Sequence, residues 1–263
     1  MSKFEPNCHA TLLDHVAAVA RSAGELVMAM YDRESVSVQQ KSDSSPVTEA
    51  DAASEDYILS ALAKLTPLVP VVSEEAASKG YVPKIAEQFW LVDPLDGTKE
   101  FLNRNGEFTV NIALVQNGDP VLGVVYAPAL EQLFAGRRGG GAYVEEGGTG
   151  NTVRRAIFCR KPESAIDVVA SRSHSDRSAI ETFLVDKQVR SFKFLGSSLK
   201  LCIIAIGEAD VYPRLGNTME WDIAAAHAVL SAAGGFVRTL DKSELRYGKR
   251  EFLNPHFVAS GPL

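Results

Sequence analysis

Apolar residues recur at helical spacing in the first part of the chain and give way to a series of strands. Apolar positions at three- and four-residue intervals between residues 10 and 31 predict an amphipathic helix. A second helix is predicted from about Thr48 to Leu65, ending before Pro67. Strands are predicted near 69–73, 89–93, 108–116, 121–127 and 132–135, with a hairpin turn at 117–119. Two helices followed by consecutive strands predict an α+β first half.

The second half of the chain alternates strands with helices. Strands are predicted near 166–171, 189–194 and 209–213, and helices near 176–186, 197–207 and 221–233. Such alternation is typical of an α/β layer. Residues 136–150 contain seven glycines, which we interpret as a hairpin end and junction rather than a phosphate loop, because no Lys-Ser/Thr pair follows. The predicted halves are 1–145 and 146–263, forming one compact unit.

The segment 90–102 carries the most informative chemistry. An apolar run brings Asp93 to the end of a predicted strand, where Pro94 blocks further sheet pairing because it has no N–H group. Asp96 and a Gly97–Thr98 turn follow. Two carboxylates this close repel each other unless a cation lies between them, and hard oxygen ligands favour Mg²⁺, Ca²⁺ or Mn²⁺. The turn amides can hold an anion. The same residues are also ordinary turn formers, so this segment alone leaves both interpretations open.

Three other segments contribute acidic residues. Glu74 and Glu75 follow an apolar strand, where neighbouring side chains point to opposite faces, so one is expected to face a site and the other solvent. Asp222 lies at the start of an alanine-rich helix, which predicts tight packing around it. Thr48 and Asp51 resemble a capping box, and an alternative role for Asp51 is to reach a metal-bound water or Thr98. A strand end and two helix caps are the plain alternatives for these residues.

Taken together, the segments resemble the inositol monophosphatase superfamily of Mg²⁺-dependent, Li⁺-sensitive phosphatases. Its pattern of Glu-Glu after a strand, Asp-Pro-(Ile/Leu)-Asp-Gly-Thr and Trp-Asp-x-Ala-Ala occurs here in order. Lys99-Glu100, where inositol monophosphatases usually have Thr-Asn, is similar to the CysQ-type 3′(2′),5′-bisphosphate nucleotidases, as are the segments beginning at Asn105, Phe194, Pro213 and Phe252. The resemblance implies a layered αβαβα sandwich, like that of the inositol monophosphatases and fructose-bisphosphatases, with the active site between the halves.

The resemblance also implies a role for each site residue. Two or three Mg²⁺ ions are expected on Glu74, Asp93, Leu95 (through its carbonyl), Asp96 and Asp222. The residues expected to act on the attacking water are Thr98, Asp51 and Glu74. The expected substrate-binding residues are Glu74, Leu95, Asp96, Gly97, Thr98, His174, Ser197, Lys200, Arg214 and Asp222. Because Lys200 comes three residues after Ser197, both can lie on one face of a helix.

The composition of the chain limits the kinds of ligand and the cellular compartment that are expected. The net charge of −6 argues against nucleic acid as the main ligand. Three cysteines without paired spacing fit a reducing compartment. Residues 1–9 lack the apolar core of a signal peptide, and no run of 18 apolar residues occurs, so a cytoplasmic chain without a transmembrane segment is expected. Peripheral attachment to the inner face of the cell membrane, and the choice between monomer and homodimer, stay open.

The predicted function is hydrolysis of 3′(2′)-phosphoadenosine 5′-phosphate to AMP and phosphate by a two-metal activated water, within sulfur metabolism. The sulfated analogue, 3′-phosphoadenylyl sulfate, is a further substrate left open. The closest alternative is an inositol monophosphatase or a broad sugar-phosphate phosphatase, against which Lys99-Glu100 argues. A phosphate- or metal-binding regulator without activity is the alternative from another class. The presence of Thr98 and of every expected acid argues against it.

Overall fold

The computed structural model describes residues 6–33, 38–40, 46–148, 151–172 and 177–262. The helices within these ranges are α1 (Pro6–Tyr31), α2 (Glu49–Leu65), α3 (Glu74–Ser78), α4 (Thr98–Leu102), α5 (Arg177–Leu184), α6 (Leu199–Ala205) and α7 (Glu220–Ala232). The strands are β1 (Val38–Gln40), β2 (Pro46–Thr48), β3 (Val71–Ser73), β4 (Gln88–Asp96), β5 (Thr109–Gln116), β6 (Asp119–Ala127), β7 (Gln132–Arg137), β8 (Gly141–Glu146), β9 (Val153–Ile157), β10 (Ile166–Ser171), β11 (Val189–Leu195), β12 (Val211–Arg214), β13 (Phe236–Thr239) and β14 (Phe257–Ser260).

Two sheets and three helical layers stack alternately. The first sheet has the order β3-β4-β5-β6-β7-β8-β9 and the second β11-β10-β12-β14-β13. Helices α1 and α2 cover the outer face of the first sheet, with Val16 and Ile58 in a shared apolar cluster. Helices α6 and α7 fill the space between the sheets. Helix α5 packs Ile180 and Leu184 on the outer face of the second sheet. The predicted αβαβα sandwich is therefore confirmed.

Helix α7 lies against the first sheet with no space between them. Residues 224–226 are buried alanines. A Cβ atom added to Gly123 on β6 would lie 2.2 Å from the Ala225 carbonyl oxygen, and one added to Gly136 on β7 would lie 2.9 Å from the Val229 Cα. Only glycine permits an approach this close to helix backbone. The packing fixes the first turn of α7 relative to the sheet.

Several local predictions are confirmed. Helix α2 begins with a capping box in which Thr48 and Asp51 bond each other's backbone N–H groups. Asn117 and Gly118 join β5 to β6 with positive φ angles of 53° and 80°, as a tight hairpin turn requires. Within the described ranges, none of the helices combines the length and apolar character that crossing a bilayer requires.

The predicted boundary at residues 145 and 146 falls inside a strand. Strands β8 and β9, which the sequence pattern did not reveal, pair antiparallel from Ala142 opposite Ile157 to Glu146 opposite Val153. The first sheet therefore continues to Ile157. Strand β9 is at the edge of this sheet and has four exposed residues, so it lacks the buried alternation by which a strand is recognised. The glycine-rich segment does form a hairpin end, between β7 and β8.

Candidate active site

A cavity of about 870 Å³ lies between the first sheet and the second, beside the N-terminus of α7. Residues from several separate segments line it, including Glu74, Asp93, Leu95, Asp96, Gly97, Thr98, Ser197, Lys200, Arg214 and Asp222. Segments that lie far apart in the sequence therefore meet at one concave surface. Its size is within the range of small-molecule binding pockets.

Three acids from three elements converge on one side of this cavity. Glu74 begins α3, Asp93 lies in β4, and Asp222 lies in the first turn of α7. One carboxylate oxygen from each lies within 4.8 Å of the other two. A set made only of carboxylate oxygens suits a hard divalent cation such as Mg²⁺, Mn²⁺ or Ca²⁺.

Asp96 adds a fourth carboxylate beside this cluster. Burial, followed by the neighbouring Asp222 carboxylate, raises the pKa of Asp96 to about 8, and the Lys200 ammonium opposes the rise. Burial also raises the pKa of Asp222. Asn111 Nδ2 donates to Asp96 Oδ2 at 3.4 Å. Burial and like charge disfavour the ionised form of such carboxylates, and bound divalent ions would favour it.

An irregularity in β4 sets the directions of the two aspartates. Pairing of β4 with β5 stops at Asp93 and resumes at Asp96, so Pro94 interrupts the ladder but does not end the strand as predicted. The Leu95 N–H donates to Asp93 Oδ1 at 3.0 Å. Ser54 Oγ donates to the Pro94 carbonyl at 2.9 Å, which ties the irregularity to α2. The proline therefore shapes the site without separating it from the sheet.

Thr98 and Asp51 meet beside the Gly97 turn. Gly97 has a φ of 91°, which favours glycine, and α4 begins directly after it. Thr98 Oγ1 lies 3.5 Å from Asp51 Oδ1 and 3.4 Å from the Leu95 carbonyl oxygen. The other oxygen of Asp51 accepts from the Thr48 N–H at 2.8 Å and from its hydroxyl at 2.7 Å. Asp51 thus caps α2 with one oxygen and faces Thr98 with the other.

A second capping arrangement holds Asp222. Its Oδ2 accepts from the Thr218 hydroxyl at 2.7 Å and from the Met219 N–H at 2.8 Å. The adjacent Glu220 is fully buried and accepts from the two amides of 248–249 at 2.7 and 2.9 Å. Sequence analysis missed Glu220, whose partners are almost 30 residues away. This acid anchors the start of α7 to the C-terminal part of the chain.

The prediction that one glutamate of the pair faces solvent is wrong. Glu75 is 2% exposed, whereas Glu74 lines the cavity. The strand ends at Ser73, and α3 starts at Glu74, so successive side chains are about 100° apart rather than opposite. Glu55 Oε1 accepts from the Ala76 N–H at 3.1 Å and holds this helix against α2.

Ser197 and Lys200 do not share a helical face, in contrast to the prediction. Ser197 has a φ of 44° and precedes α6, which starts at residue 199. Lys200 is buried, and its ammonium group donates to the Ser197 carbonyl oxygen. Burial lowers the pKa of Lys200 to about 8, although the Asp96 carboxylate opposes this change. Lys200 therefore brings a positive charge from the second half toward the acids of the first.

Arg214, the last residue of β12, also lines the cavity. Its guanidinium donates to the Asn217 carbonyl oxygen. Arg214 also bonds Tyr212, whose pKa is raised to about 12 mainly by burial. His174 lies outside the described residues, so its contact with substrate stays a prediction.

Comparison with known proteins decides the family. The model of the inositol monophosphatase family matches residues 9–260. The chain belongs to this family. It is 46% identical over 251 residues to the 3′(2′),5′-bisphosphate nucleotidase CysQ of Escherichia coli (strain K12), covering 95% of this chain and 99% of that protein. CysQ of Haemophilus influenzae is 35% identical, with coverage of 95% and 93%.

Solved structures of family members have the same fold. CysQ from Bacteroides thetaiotaomicron aligns with a TM-score of 0.77 at 38% identity, covering 94% of this chain and 97% of that one. The Thermotoga maritima IMPase aligns with a TM-score of 0.76 at 26% identity, covering 95% and 92%. The acid cluster described above is the kind of site that a metal-dependent phosphatase family needs.

Glu100, one of the two residues on which the predicted resemblance to bisphosphate nucleotidases rests, lies where the halves meet. Its side chain is 6% exposed, whereas Lys99 is exposed. A Cβ atom on Gly196 would lie 2.6 Å from Glu100 Cγ, so α4 packs directly on the turn before α6. The residue therefore contacts the part of the second half that carries Ser197.

Proposed function

We propose that this chain is a Mg²⁺-dependent 3′(2′),5′-bisphosphate nucleotidase that hydrolyses 3′(2′)-phosphoadenosine 5′-phosphate to AMP and phosphate. The 46% identity to CysQ over nearly the whole chain supports the activity. The observation that carries the substrate class is the cavity itself, in which Lys200 and Arg214 line one wall and the cluster of Glu74, Asp93 and Asp222 lies on another side. One wall can hold the phosphate that is hydrolysed, and the other can hold a second phosphate. A cytoplasmic role in sulfur metabolism belongs to the same proposal.

The acid cluster is proposed to hold two or three Mg²⁺ ions. Glu74, Asp93 and Asp222 would bind through carboxylate oxygens, and Asp96 and the Leu95 carbonyl would complete the set. The donor atoms are all oxygens, and bound cations would oppose the rise that burial causes in the pKa of Asp96 and of Asp222. Bound Mg²⁺ would stabilise charge on the phosphoryl oxygens and lower the pKa of a water molecule.

The protein groups around the cluster orient the reactants. The amides of Gly97 and Thr98 are proposed to hold phosphoryl oxygens. The attacking water must lose a proton as its oxygen bonds to phosphorus and the ester bond breaks. Thr98 Oγ1, which faces Asp51 Oδ1 at 3.5 Å, can accept a hydrogen bond from that water while donating to Asp51. Glu74, which also lines the cavity, is proposed to help orient the water. No side chain becomes a covalent nucleophile, and the products are the alcohol and inorganic phosphate.

A phosphate-release screen tests the proposal. With Mg²⁺ present, 3′-phosphoadenosine 5′-phosphate should be hydrolysed with a higher kcat/KM than inositol 1-phosphate or 3′-AMP. Parallel reactions with 3′-phosphoadenylyl sulfate and the 2′,5′ isomer define which bisphosphate is preferred. Li⁺ should inhibit far more than Na⁺ at equal concentration, because it can occupy a Mg²⁺ position with half the charge. Faster hydrolysis of inositol 1-phosphate would refute the nucleotidase assignment in favour of the alternative phosphatase, and no hydrolysis of any compound would favour a regulator.

A further inference from the structure

The turn at 196–198 is a second-half element whose hydrogen bonds lead back to the first half. The Gly196 N–H donates to Glu107 Oε2 at 2.7 Å. Ser198 Oγ donates to Asn111 Oδ1 at 2.7 Å and lies 3.0 Å from Thr109 Oγ1. A Cβ atom on Gly196 would lie 2.8 Å from the Glu107 carbonyl oxygen, so the turn and the loop before β5 are in direct backbone contact. The position of this turn therefore depends on the loop that carries Glu107.

Arg172 orients the Glu107 carboxylate. Its guanidinium donates through Nη2 to Glu107 Oε1 at 2.7 Å and through Nε to Oε2 at 3.2 Å. The same Nη2 donates to the Phe194 carbonyl at 2.8 Å, close to the end of β11. Because Arg172 is about half exposed, the ion pair itself contributes little to stability. Its geometric effect is larger, since a bidentate pair fixes the plane of the carboxylate that receives the Gly196 amide.

We infer that Glu107, held by Arg172, is a positioning residue that sets the preference for nucleotides with a second phosphate. This inference rests on the proposed function. The turn that Glu107 holds contains Ser197, whose carbonyl oxygen accepts from Lys200. A shift of the turn therefore moves Lys200, which is one of the two residues assigned to the phosphate that is not hydrolysed. The three acids of the cluster lie on other elements, and none of them takes part in the hydrogen bond between Gly196 and Glu107.

The decisive variant is Glu107→Gln, which keeps the shape of the side chain and removes its charge. Its amide can present only one carbonyl oxygen, so it cannot satisfy both the Gly196 N–H and the two Arg172 donors. We expect kcat/KM for 3′-phosphoadenosine 5′-phosphate to fall about tenfold, mainly through KM, and kcat/KM for 3′-AMP to change less than about threefold. Arg172→Met should produce the same pattern, and the double variant should lose less than the product of the single effects.

The control is Glu146→Gln, which removes an ion pair with Arg155, an arginine about as exposed as Arg172, on the edge hairpin of the first sheet. It should leave both substrates unchanged. Amide exchange should accelerate over residues 195–198 in Glu107→Gln and not in the control, with or without nucleotide. Unchanged kinetics for Glu107→Gln in an enzyme that prefers the bisphosphate would overturn the inference alone, as would equal losses on the two substrates. A wild-type enzyme without preference for the bisphosphate would refute the proposed function and this inference together.

Discussion

Substitution of Gly123 by alanine should impair catalysis from inside the core. The new Cβ would lie 2.2 Å from the Ala225 carbonyl oxygen and 2.8 Å from the Ala228 Cβ. Ordinary carbon contacts are about 3.5 Å or longer, so α7 must move away from β6 by about 1 Å. Overpacking of this kind costs about 1–3 kcal/mol of unfolding free energy. Asp222 lies one helical turn from Ala225 and moves with the helix, and a 1 Å misplacement at a catalytic cluster lowers activity by about 100-fold.

The assay is kcat/KM for the bisphosphate at saturating Mg²⁺, with urea denaturation of the same samples. Gly136→Ala is the matched control, because its Cβ would contact α7 further along, at 2.9 Å from the Val229 Cα and 3.0 Å from the Ala232 Cβ. It should destabilise the fold to a smaller extent and retain most activity. A folded Gly123→Ala enzyme with near wild-type kcat/KM would show that Asp222 tolerates movement, and the reasoning from packing to catalysis would be wrong.

Other changes address the site and the fold separately. Asp93→Asn should reduce turnover by at least about 100-fold, and near-normal turnover would exclude the metal role. The metal-free variant should unfold at an equal or higher urea concentration than the wild type, because repulsion between the carboxylates falls. Lys200→Ala and Arg214→Ala should each lower kcat/KM for the bisphosphate by about ten- to a hundredfold and change 3′-AMP hydrolysis much less. Burial lowers the pKa of His227 from 6.5 to about 3, so the unfolded chain binds a proton that the folded chain does not. The resulting contribution to the free energy of unfolding is complete above pH 6.5 and falls by about 1.4 kcal/mol per pH unit between pH 6.5 and about pH 3. The variant His227→Gln keeps an acceptor for the Tyr247 hydroxyl but does not titrate. Urea titrations at pH 7 and pH 5 should therefore show a smaller loss of stability in this variant than in the wild type.

The parts of the site that were predictable from sequence are those built by short-range chemistry. Asp93, Asp96 and Thr98 lie within six residues, and strand, proline and glycine preferences place them at one turn. The capping box likewise joins Thr48 to Asp51 within one helical turn. In both places the interacting residues are close in the chain, so the sequence pattern is sufficient to predict the contact that the structure shows.

The residues that sequence analysis missed act through distant partners. Glu107 bonds an amide 89 residues away, and Ser198 bonds Asn111 across 87 residues. The residues that flank Glu107 and Ser198 in the sequence form no pattern that predicts such a distant partner. The error at Glu75 has a related cause, because the switch from β3 to α3 is set by packing on α2 rather than by local residue preference. The side-chain directions of Glu74 and Glu75 were inferred from strand geometry, but the strand ends at Ser73, one residue before this pair.

This difference explains why the reaction class is easier to infer than the substrate. The acids proposed to bind metal lie at the ends of rigid elements, with two of the four in β4 and one fixed by the cap of α7, so a motif is sufficient to recognise them. The wall proposed to hold the second phosphate is formed where the turn at 196–198 meets the first half, and its geometry depends on contacts between segments about 90 residues apart. Substitutions at that contact can change which phosphate ester fits while leaving the acid cluster intact. Substrate preference in this fold is therefore expected to follow the junction residues, such as Glu100 and Glu107, more closely than the metal ligands.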